Sequence, residues 1–414
     1  MITKTLFELS LKISSGLTPL RSNSIFWENG TIPWLKTKQL GEKYIYETNE
    51  HISSLALEKT SIRIFPVNSL SIAMYGEGKT RGNLSILKKP MATNQACCNI
   101  ELDPDMADYE YVYYFLKTQY EELRQLSSGV RKNLNSNDIK NYPIRLPLTL
   151  QEQQEISHVL KTLDQKIDLN NRINAELEAM AKTLYDYWFV QFDFPDANGK
   201  PYKTSGGKMV YNATLKREIP AGWSASNILS LANLLGGGTP TKTKPEYWNG
   251  SIPFFTPTDS DRNIYSLNTQ DCITDAGLKN SSARLFEKNT IFITARGSVG
   301  RLALNAVPMA MNQSCYALKA KQDVSFAFLY FLTKELIHHL EVKATGSVFN
   351  SIVSNDIENT NLAFPDNIDL ISKYAERIEP VFTKIELLTK ENQQLIKLRD
   401  WLLPLLMNGQ VTVK

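Results

Sequence analysis

The stretch TPLRSNSIFWENGTIP at residues 18–33 returns as TPTKTKPEYWNGSIP at residues 239–253. Further matches follow in the same order, shifted by 218 to 221 residues: Phe65 and Asn68 with Phe286 and Asn289, Asn94-Gln95 with Asn312-Gln313, and SNDI at 136–139 with SNDI at 354–357. Ordered self-similarity at a nearly constant offset is the signature of a duplicated unit. The sequence therefore predicts two copies of one unit, each about half of the chain.

Each copy begins with short β-type runs separated by turn signals and also contains one helical stretch. The β-type runs are residues 31–37, 69–74 and 142–146 in copy one, and 251–256, 290–294 and 360–364 in copy two. The helical stretches lie around residues 109–127 and 326–342. We therefore predict an α+β fold class with two pseudo-symmetric domains of mixed α/β structure.

A heptad pattern follows the mixed part of each copy. The first series is Ile156, Leu160, Leu163, Ile167, Asn170, Asn174, Leu177, Ala181 and Leu184, and the second is Tyr374, Ile378, Val381, Ile385, Leu388, Asn392, Leu395, Arg399 and Leu402. Alternating steps of four and three over about four heptads predict two long helices in a coiled coil. Asn174 and Asn392 occupy equivalent positions, where a polar seam residue would fix the register. The alternative is an ordinary amphipathic helix packed on its own domain.

These patterns divide the chain into a domain at residues 1–149, a long helix at 150–190, a connector at 191–222, a second domain at 223–367 and a second long helix at 368–409. The connector is rich in turn signals and lacks a helical period. Copy one begins almost at Met1, whereas copy two is preceded by the lead-in IPAGW at 219–223. We therefore expect the first domain to be trimmed at its edge.

Composition excludes several classes of protein. Lys plus Arg number 46 against 43 Asp plus Glu, which gives a formal charge of +3. The chain is therefore not a strongly basic protein that would bind polyanions through its net charge. Hydrophobic residues make up 42%, enough for buried cores and unlike a disordered chain. The N-terminus lacks an export signal and no apolar run reaches the roughly 20 residues that span a bilayer, so we expect a cytoplasmic protein with reduced cysteines.

The chemistry of common enzymes is missing from the sequence. There is no CxxC or HExxH for a metal, no Asn-Pro-Pro-aromatic segment for amino-group methylation, and no Asp…Glu-x-Lys nuclease arrangement. The segment GEGKT at residues 76–80 fits a loose phosphate-binding loop, but such a loop needs a following helix, and residues 81–90 are short and β-like. The absences favour a binding or scaffolding protein, with no catalytic residues and no metal.

Two domains on a rigid coil suit an extended target with two sites at a fixed spacing, and duplex DNA is the obvious candidate. Glycine-flanked segments at 75–82 and 296–301, and loops at 128–133 and 345–350, carry side chains that can reach phosphates and base edges. The candidate DNA-binding residues are Lys36, Lys38, Tyr75, Lys79, Arg81, Arg131, Lys132, Asn133, Arg296, Ser298, Arg301, Ser347 and Asn350.

Each repeated feature also has a simpler interpretation. A single cation is at least as readily a solvated surface charge. The Asn94-Gln95 pair and its copy are favoured as a buried turn that stabilises the domain. The repeated SNDI is most simply a helix cap or turn that enters the next strand.

Several longer motifs resemble a known family. They are NAELEAMAKTLYDYWFVQFDFP at 174–195, GGKMV at 206–210, IPAGW at 219–223, LRDWLLPLLMNG at 398–409, the two Thr-Pro…Trp…Gly-x-Ile-Pro starts and the RGSVG turn at 296–300. Together they resemble the specificity subunits of type I restriction–modification systems over essentially the whole chain.

The resemblance implies two target recognition domains, each of which reads one half of a bipartite, asymmetric DNA site. It implies an antiparallel coiled coil that sets the unread spacer between the halves. Two methyltransferase subunits would dock on the chain and use S-adenosylmethionine to methylate adenine, which they must flip out of the duplex. Two restriction subunits that use ATP and Mg²⁺ would join them, and this chain itself would hold no cofactor. The expected docking residues are Leu184, Trp188, Leu402 and Leu406.

Two other functions stay open from the residues alone. The chain could be a stand-alone regulator that binds bipartite DNA without methyltransferase partners. A nucleotidase that uses Lys79 is the weaker alternative, because copy two has lost the Lys-Thr pair.

Overall fold

A computed structural model describes residues 1–76, 80–126, 133–260, 263–344 and 350–413. The chain divides into two units. Unit 1 is Met1–Lys166 with Leu395–Lys414, and unit 2 is Ile167–Gln394. Each unit therefore holds one mixed domain together with part of both long helices.

The described residues of unit 1 form ten strands and the helices between them. The strands are β1 (Ile2–Thr5), β2 (Ser10–Ser15), β3 (Ile32–Leu35), β4 (Tyr44–Ile45), β5 (Glu50–Ile52), β6 (Leu70–Ala73), β7 (Leu84–Leu87), β8 (Ala92–Thr93), β9 (Cys97–Leu102) and β10 (Pro143–Leu146). The helices are α1 (Ser54–Lys59), α2 (Tyr109–Thr118), α3 (Tyr120–Gln125), α4 (Ser136–Lys140) and the start of α5 (Leu150–Tyr185).

Unit 2 repeats this plan after a π-helical turn at Asp186–Val190. Its strands are β11 (Met209–Asn212), β12 (Arg217–Pro220), β13 (Trp223–Asn227), β14 (Ala232–Gly236), β15 (Trp248–Phe255), β16 (Tyr265–Ser266), β17 (Asp271–Ile273), β18 (Ile291–Thr294), β19 (Leu302–Asn305), β20 (Ala310–Met311), β21 (Cys315–Ala320) and β22 (Asn361–Pro365). Its helices are α6 (Asp275–Lys279), α7 (Phe326–Lys343), α8 (Ser354–Glu358) and most of α9 (Ile368–Met407).

The sheets confirm the predicted duplication strand by strand. Unit 1 has a five-stranded sheet of order β2-β9-β6-β7-β4, a three-stranded sheet β5-β3-β8 and the pair β1-β10. Unit 2 has β14-β21-β18-β19-β16, β17-β15-β20 and β13-β22 in the same arrangement. Because β1 pairs with β10 as β13 pairs with β22, the strand pair at the edge of unit 2 is present in unit 1 as well, and the expected trimming does not remove it. Unit 2 differs by the hairpin β11-β12, which lies in the predicted connector.

Left-handed asparagines repeat the match at the level of single residues. Asn29 and Asn249 have φ of 53° and 59°, and Asn68 and Asn289 have φ of 71° and 64°. Asparagine tolerates this region better than most residues because its short side chain can hydrogen-bond locally. The same turn chemistry therefore recurs in both units.

The SNDI segments form short capped helices that lead into a strand, as predicted. In unit 1 the Asn135 side chain accepts hydrogen bonds from the N–H groups of Asn137 and Asp138, both at 2.9 Å, ahead of α4 and β10. In unit 2 the Val353 N–H donates to Asp356 Oδ2 at 2.9 Å, ahead of α8 and β22. These caps satisfy N–H groups that a helix start otherwise leaves without partners.

The two long helices pair antiparallel within unit 2. Asn170 Nδ2 donates to Asn392 Oδ1 at 2.9 Å, and the Tyr374 hydroxyl donates to the Ala181 carbonyl at 3.1 Å. The residue number rises along one helix as it falls along the other. The coiled coil inferred from the heptads is therefore confirmed, and among the described residues no helix is long and apolar enough to cross a membrane.

Charged side chains join the long helices to the domain of unit 1. Lys43 Nζ lies 2.9 Å from Glu110 Oε2 and 3.1 Å from Asp164 Oδ2, and Arg399 Nη1 lies 3.0 Å from Asp164 Oδ1. The Tyr114 hydroxyl bonds to Asp164 as well. We call these five residues the charged junction. Burial, followed by the nearby Asp164 carboxylate, raises the pKa of Tyr114 well above its usual range.

Candidate nucleic-acid interface

One edge of unit 1 gathers segments that are far apart in sequence. The turn at residues 94–96 lies beside the end of β3, because the Asn94 N–H donates to the Leu35 carbonyl at 2.9 Å. It also lies beside the end of β6, because the Met74 N–H donates to the Ala96 carbonyl at 2.8 Å. We call this edge the loop face of unit 1, formed by residues 17–18, 35–38, 74–76, 94–96 and 133–134.

Two more segments reach the same edge through backbone bonds. The Leu17 N–H donates to the Thr93 carbonyl at 2.9 Å, and the Leu134 N–H donates to the Met74 carbonyl at 3.2 Å. The first bond brings in the Thr18-Pro19 motif. The second brings the end of the loop predicted at 128–133 next to the glycine-flanked segment that starts at Tyr75. The structure thus brings together the described ends of these two segments.

Unit 2 builds the same edge with equivalent bonds. The Asn312 N–H donates to the Phe255 carbonyl at 2.9 Å, and the Ala295 N–H donates to the Ser314 carbonyl at 2.8 Å. The Ile352 N–H donates to the Ala295 carbonyl at 2.9 Å. The loop face of unit 2 is formed by residues 238–239, 255–258, 295–298, 312–314 and 350–352.

The glycine-flanked segment of unit 1 leads into a strand. Residues 80–90 contain β7, so no described helix follows Gly76 to hold a phosphate, and the nucleotide-binding alternative loses its support. Tyr75 is exposed on the loop face, and Asn133 is half-buried at its edge. The Arg81 Nη2 donates to the Arg124 carbonyl at 3.3 Å, which places this predicted DNA-binding side chain against α3.

In the corresponding segment of unit 2, the residues predicted to bind DNA have different surroundings. Arg296 is exposed at the end of β18, whereas Ser298 is half-buried and its carbonyl accepts a hydrogen bond from the Thr294 hydroxyl. The Arg301 Nη1 donates to the Ser260 carbonyl at 3.1 Å. Both arginines are exposed, but the guanidinium of Arg301 is tied to the neighbouring segment, whereas no such bond is found for Arg296 within the described residues.

Unit 1 makes the equivalent of the Arg301 bond with an amide. Asn83 Nδ2 donates to the Leu40 carbonyl at 3.0 Å, at the matching positions of the repeat. A bond that both units make with different side chains indicates a structural brace. The predicted DNA-binding role of Arg301 therefore stays a prediction, with the brace as its observed contact.

The two lysines that follow β3 and are predicted to bind DNA differ in their surroundings. Lys36 forms an ion pair with Glu50, and Lys38 is exposed. Arg21, which sequence reasoning missed, lies 3.7 Å above the Trp27 ring and 2.6 Å from Glu50 Oε2. A cation six residues before the repeated tryptophan was the available signal, since copy two has Lys242 at that position.

Not every predicted DNA-binding residue can be placed. Lys79, Arg131, Lys132 and Ser347 lie outside the described residues. Asn350 is described, and it is exposed next to the Ser351 backbone that bridges to Arg296.

In each repeated Asn-Gln pair, only the asparagine has the turn-stabilising role that the sequence predicts. Asn94 Oδ1 accepts the Ala96 N–H at 3.2 Å, and Asn312 Oδ1 accepts the Ser314 N–H at 3.0 Å, so both asparagines stabilise the turn. The glutamines that follow are exposed on the loop face. A buried turn was expected, and a turn with an outward glutamine is found.

The seam asparagines form a network rather than one pair. Asn174 Nδ2 reaches the Thr389 hydroxyl at 3.4 Å, and Asn392 bonds to Asn170 and donates to Asn171 Oδ1 at 2.8 Å. Asn170, Asn174 and Asn392 are all buried. Each amide reaches its partner only when the two helices have one particular position relative to each other along their axes. These contacts therefore support the prediction that the asparagines fix the register of the coiled coil.

The predicted docking residues need a correction. Trp188 and Leu406 are each 2% exposed and belong to the hydrophobic cores of unit 2 and unit 1, respectively. Their side chains therefore stabilise the chain itself and cannot form a docking surface. Leu184 and Leu402 are half-buried beside those cores.

Exposed apolar side chains next to them were missed. Met180 is 53% exposed and Tyr187 is 37% exposed along a groove of unit 2 that Leu184 also lines. In unit 1, Leu398 is 43% exposed and Trp401 is 62% exposed. Leu398 is the repeat equivalent of Met180, so the two units carry related apolar patches. None of these four exposed residues belongs to the two heptad series, so the available signal was a large apolar residue next to the seam rather than on it.

No metal site is present in the part of the chain that the structure describes, where no group of three or more His, Cys, Asp or Glu residues is placed to hold an ion. Burial raises the pKa of the Cys97, Cys98 and Cys315 thiols to about 12. All three therefore stay protonated at neutral pH, which suits a packing role rather than a reactive one.

Comparison with known proteins gives a consistent result. A family model described as "Type I restriction modification DNA specificity domain" matches residues 4–179 and 220–397. The type I restriction enzyme MjaIX specificity subunit of Methanocaldococcus jannaschii is 28% identical over 413 residues, covering 97% of this chain and 92% of that protein. The EcoR124I/EcoR124II specificity subunit of Escherichia coli is 27% identical over 299 residues, covering 70% and 67%.

A solved structure shares the fold over nearly the whole length. The S subunit of a type I restriction–modification system from M. genitalium superposes with a TM-score of 0.61 at 16% identity, covering 98% of this chain and 95% of that one. At this identity the likeness concerns the fold alone.

Proposed function

Because the chain belongs to the family of type I restriction–modification DNA specificity subunits, we propose that each of its two units reads one half of a bipartite, asymmetric DNA site. The observation that carries the proposal is the duplicated loop face. Both units use the same backbone bonds to bring five segments to one edge, while the side chains at the tips differ, such as Tyr75 in one unit and Arg296 in the other. A shared frame with different reading residues suits two different half-sites.

The antiparallel coiled coil is the proposed ruler of the site. Its buried asparagine network fixes the register of the two helices, so that the distance set by the coil is constant from molecule to molecule. The length of the unread spacer in the DNA would follow from it. The bases themselves would be read through a few placed side chains, in keeping with the net charge of +3.

Catalysis belongs to partner subunits in this proposal. Two methyltransferase subunits would bring S-adenosylmethionine and methylate an adenine in each half-site, and two restriction subunits would bring ATP and Mg²⁺. The apolar patches around Met180 and Trp401 are the proposed docking surfaces, because large exposed apolar side chains beside a half-buried leucine are typical of binding hot spots. One patch in each unit fits two copies of one partner.

The recognition proposal makes a prediction for each unit. We expect Arg296→Ala to lose about 1–3 kcal/mol of discrimination at one half-site, because an exposed arginine on the loop face can contact a guanine edge with two bonds. Tyr75→Ala should change the preference at the other half-site. Selection of bound duplexes from a randomised pool, followed by sequencing, measures both. Lys200→Ala, an exposed cation of the connector, is the matched control. Equal effects of Arg296→Ala on both halves would contradict a dedicated reading loop.

The docking proposal is tested by assembly. We expect Trp401→Glu to remove one methyltransferase copy and Met180→Glu to remove the other, since a buried hot-spot residue contributes roughly 2 kcal/mol or more to binding. Co-purification with the tagged methyltransferase, with the mass of the complex measured by light scattering, gives the result. Val210→Glu, which changes an exposed apolar residue of β11, should leave assembly unchanged. A chain that binds its bipartite site tightly and gains nothing from the methyltransferase would favour the stand-alone regulator instead.

A further inference from the structure

Gln95 and Gln313 occupy the same position of the repeat and are held in the same way. The Thr18 hydroxyl donates to Gln95 Oε1, and the Thr239 hydroxyl donates to Gln313 Oε1. Both glutamines are exposed on the loop faces. Two motifs of the repeat, Thr-Pro and Asn-Gln, thus meet in one contact.

This contact leaves one end of each carboxamide available. The oxygen of Gln95 and of Gln313 accepts the threonine hydroxyl, and within the described residues the Nε2 groups have no protein acceptor. Each exposed amide therefore presents two N–H donors to solvent in an orientation that the threonine fixes. A donor whose rotamer is already fixed loses little entropy when it binds an acceptor.

The backbone beneath the contact is equally constrained in both units. A Cβ atom at Gly16 would lie 2.1 Å from the Thr93 carbonyl oxygen, and one at Gly237 would lie 2.1 Å from the Asn312 carbonyl oxygen. Only glycine allows the segment before Thr18 or Thr239 to lie this close to the neighbouring turn. The position of the glutamine thus rests on a tightly packed frame.

Because the same residue type is held in the same way in both units, the two glutamines are poorly suited to distinguish one half-site from the other. If the units read different half-sites, an exposed side chain that is the same and is held identically in both cannot carry the discrimination. The side chains around it do differ, as Lys36 and Thr256 show at one matching position. Phosphate oxygens are the acceptors that every DNA sequence offers, and contacts to them set the orientation of the protein on the duplex.

We propose that Gln95 and Gln313 are sequence-independent anchors that donate their carboxamide N–H groups to phosphate oxygens, one anchor for each half-site. They hold the loop face at a fixed height on the DNA backbone, so that the neighbouring side chains that differ between the units meet the base edges. The inference rests on the proposed function, because it assumes that both loop faces bind duplex DNA.

The test uses the full chain assembled with its methyltransferase. Gln95→Ala, Gln313→Ala and the double variant are compared with Gln151→Ala, which changes an exposed glutamine of α5. Affinity is measured for a fluorescein-labelled duplex of arbitrary sequence over a range of salt concentrations. The site preference is measured by selection from a randomised pool, and Tm by thermal unfolding.

We expect each single variant to lose roughly three- to tenfold in affinity for the arbitrary duplex, as one neutral hydrogen bond would give. The double variant should lose about the product of the two factors. The salt dependence should stay unchanged, because an uncharged amide releases no counterion. The preferred bases of both half-sites and the Tm should also stay as in the wild type.

Two results would overturn the anchor. A lower Tm with no loss of affinity would show that the glutamine only clasps the Thr-Pro segment, and a changed preference at one half-site would make it a base-reading residue. Failure of the proposed function is a separate outcome. A wild-type assembly that binds duplex DNA but selects no two-part sequence would overturn the proposed function, while the effect of the glutamines could still be measured on the arbitrary duplex.

Discussion

Replacing Lys43 by methionine is expected to lower the free energy of unfolding by about 3–5 kcal/mol, because it removes one partner from a buried group of charges. Lys43 is the cation that Glu110 and Asp164 share, and the Glu110 side chain is only 3% exposed. Without the ammonium group, Glu110 keeps an ion pair with Lys161, at 3.4 Å, and Asp164 keeps one with Arg399, at 3.0 Å, so both carboxylates lose the cation that they share. Chemical denaturation of the chain measures the change. Lys59→Met, at an exposed position of α1, should change the stability by less than about 0.5 kcal/mol.

Unit 2 shows which residues can occupy the positions of the charged junction. In unit 2 the repeat equivalents of Lys43, Glu110, Asp164 and Arg399 are Ile264, Ala327, Phe382 and Ala181. There the Phe382 ring packs 5.7 Å from the Tyr330 ring and 5.9 Å from the Phe331 ring, centre to centre. One position of the fold is thus filled by charges in unit 1 and by aromatic rings in unit 2.

A variant that copies the residues of unit 2 into the charged junction should recover most of the lost stability. Its four changes are Lys43→Ile, Glu110→Ala, Asp164→Phe and Arg399→Ala. Apolar residues of suitable volume often replace a buried ion group at no cost, because no charge is left without water or partner. The explanation fails if Lys43→Met costs less than about 1 kcal/mol, or if the fourfold variant is as unstable as the single one.

The sequence predicted the features of this molecule that depend on order and period. The duplication could be read because two runs of identical residues keep nearly constant spacing, and the coil because the heptads persist past Asn174 and Asn392. Local chemistry also predicted the capped SNDI helices. Each of these signals lies within a few turns of chain or in direct comparison of the two copies.

The features that the sequence did not predict depend on which parts of the folded chain pack against each other. Trp188 and Leu406 lie four residues after Leu184 and Leu402 and continue the heptad series, but only the packing of each unit shows that their side chains are buried. The charged junction joins Lys43 to Asp164 across 121 residues, with no periodicity to link them. Asn94 and Gln95 were expected to form a buried turn together, but Asn94 bonds within the turn while the Gln95 side chain is exposed.

Lengthening the coil is expected to lengthen the DNA site. One heptad is inserted between Lys166 and Ile167 and another between Gln394 and Leu395, where the two units divide. Seven residues preserve the seam and add roughly 10 Å of helix, which corresponds to about three base pairs. A seven-residue insertion after Gly199, in a turn of the connector, is the matched control and should leave the site unchanged.

The central claim is that two units read two half-sites whose spacing the coil sets. Its most direct test is to map the methylated adenines in a genome that carries the partner subunits with either the wild-type chain or the heptad variant. The wild type should give a two-part asymmetric sequence, and the variant the same two halves with a spacer about three base pairs longer. New bases in either half-site, or an unchanged spacer in an active heptad variant, would contradict the account.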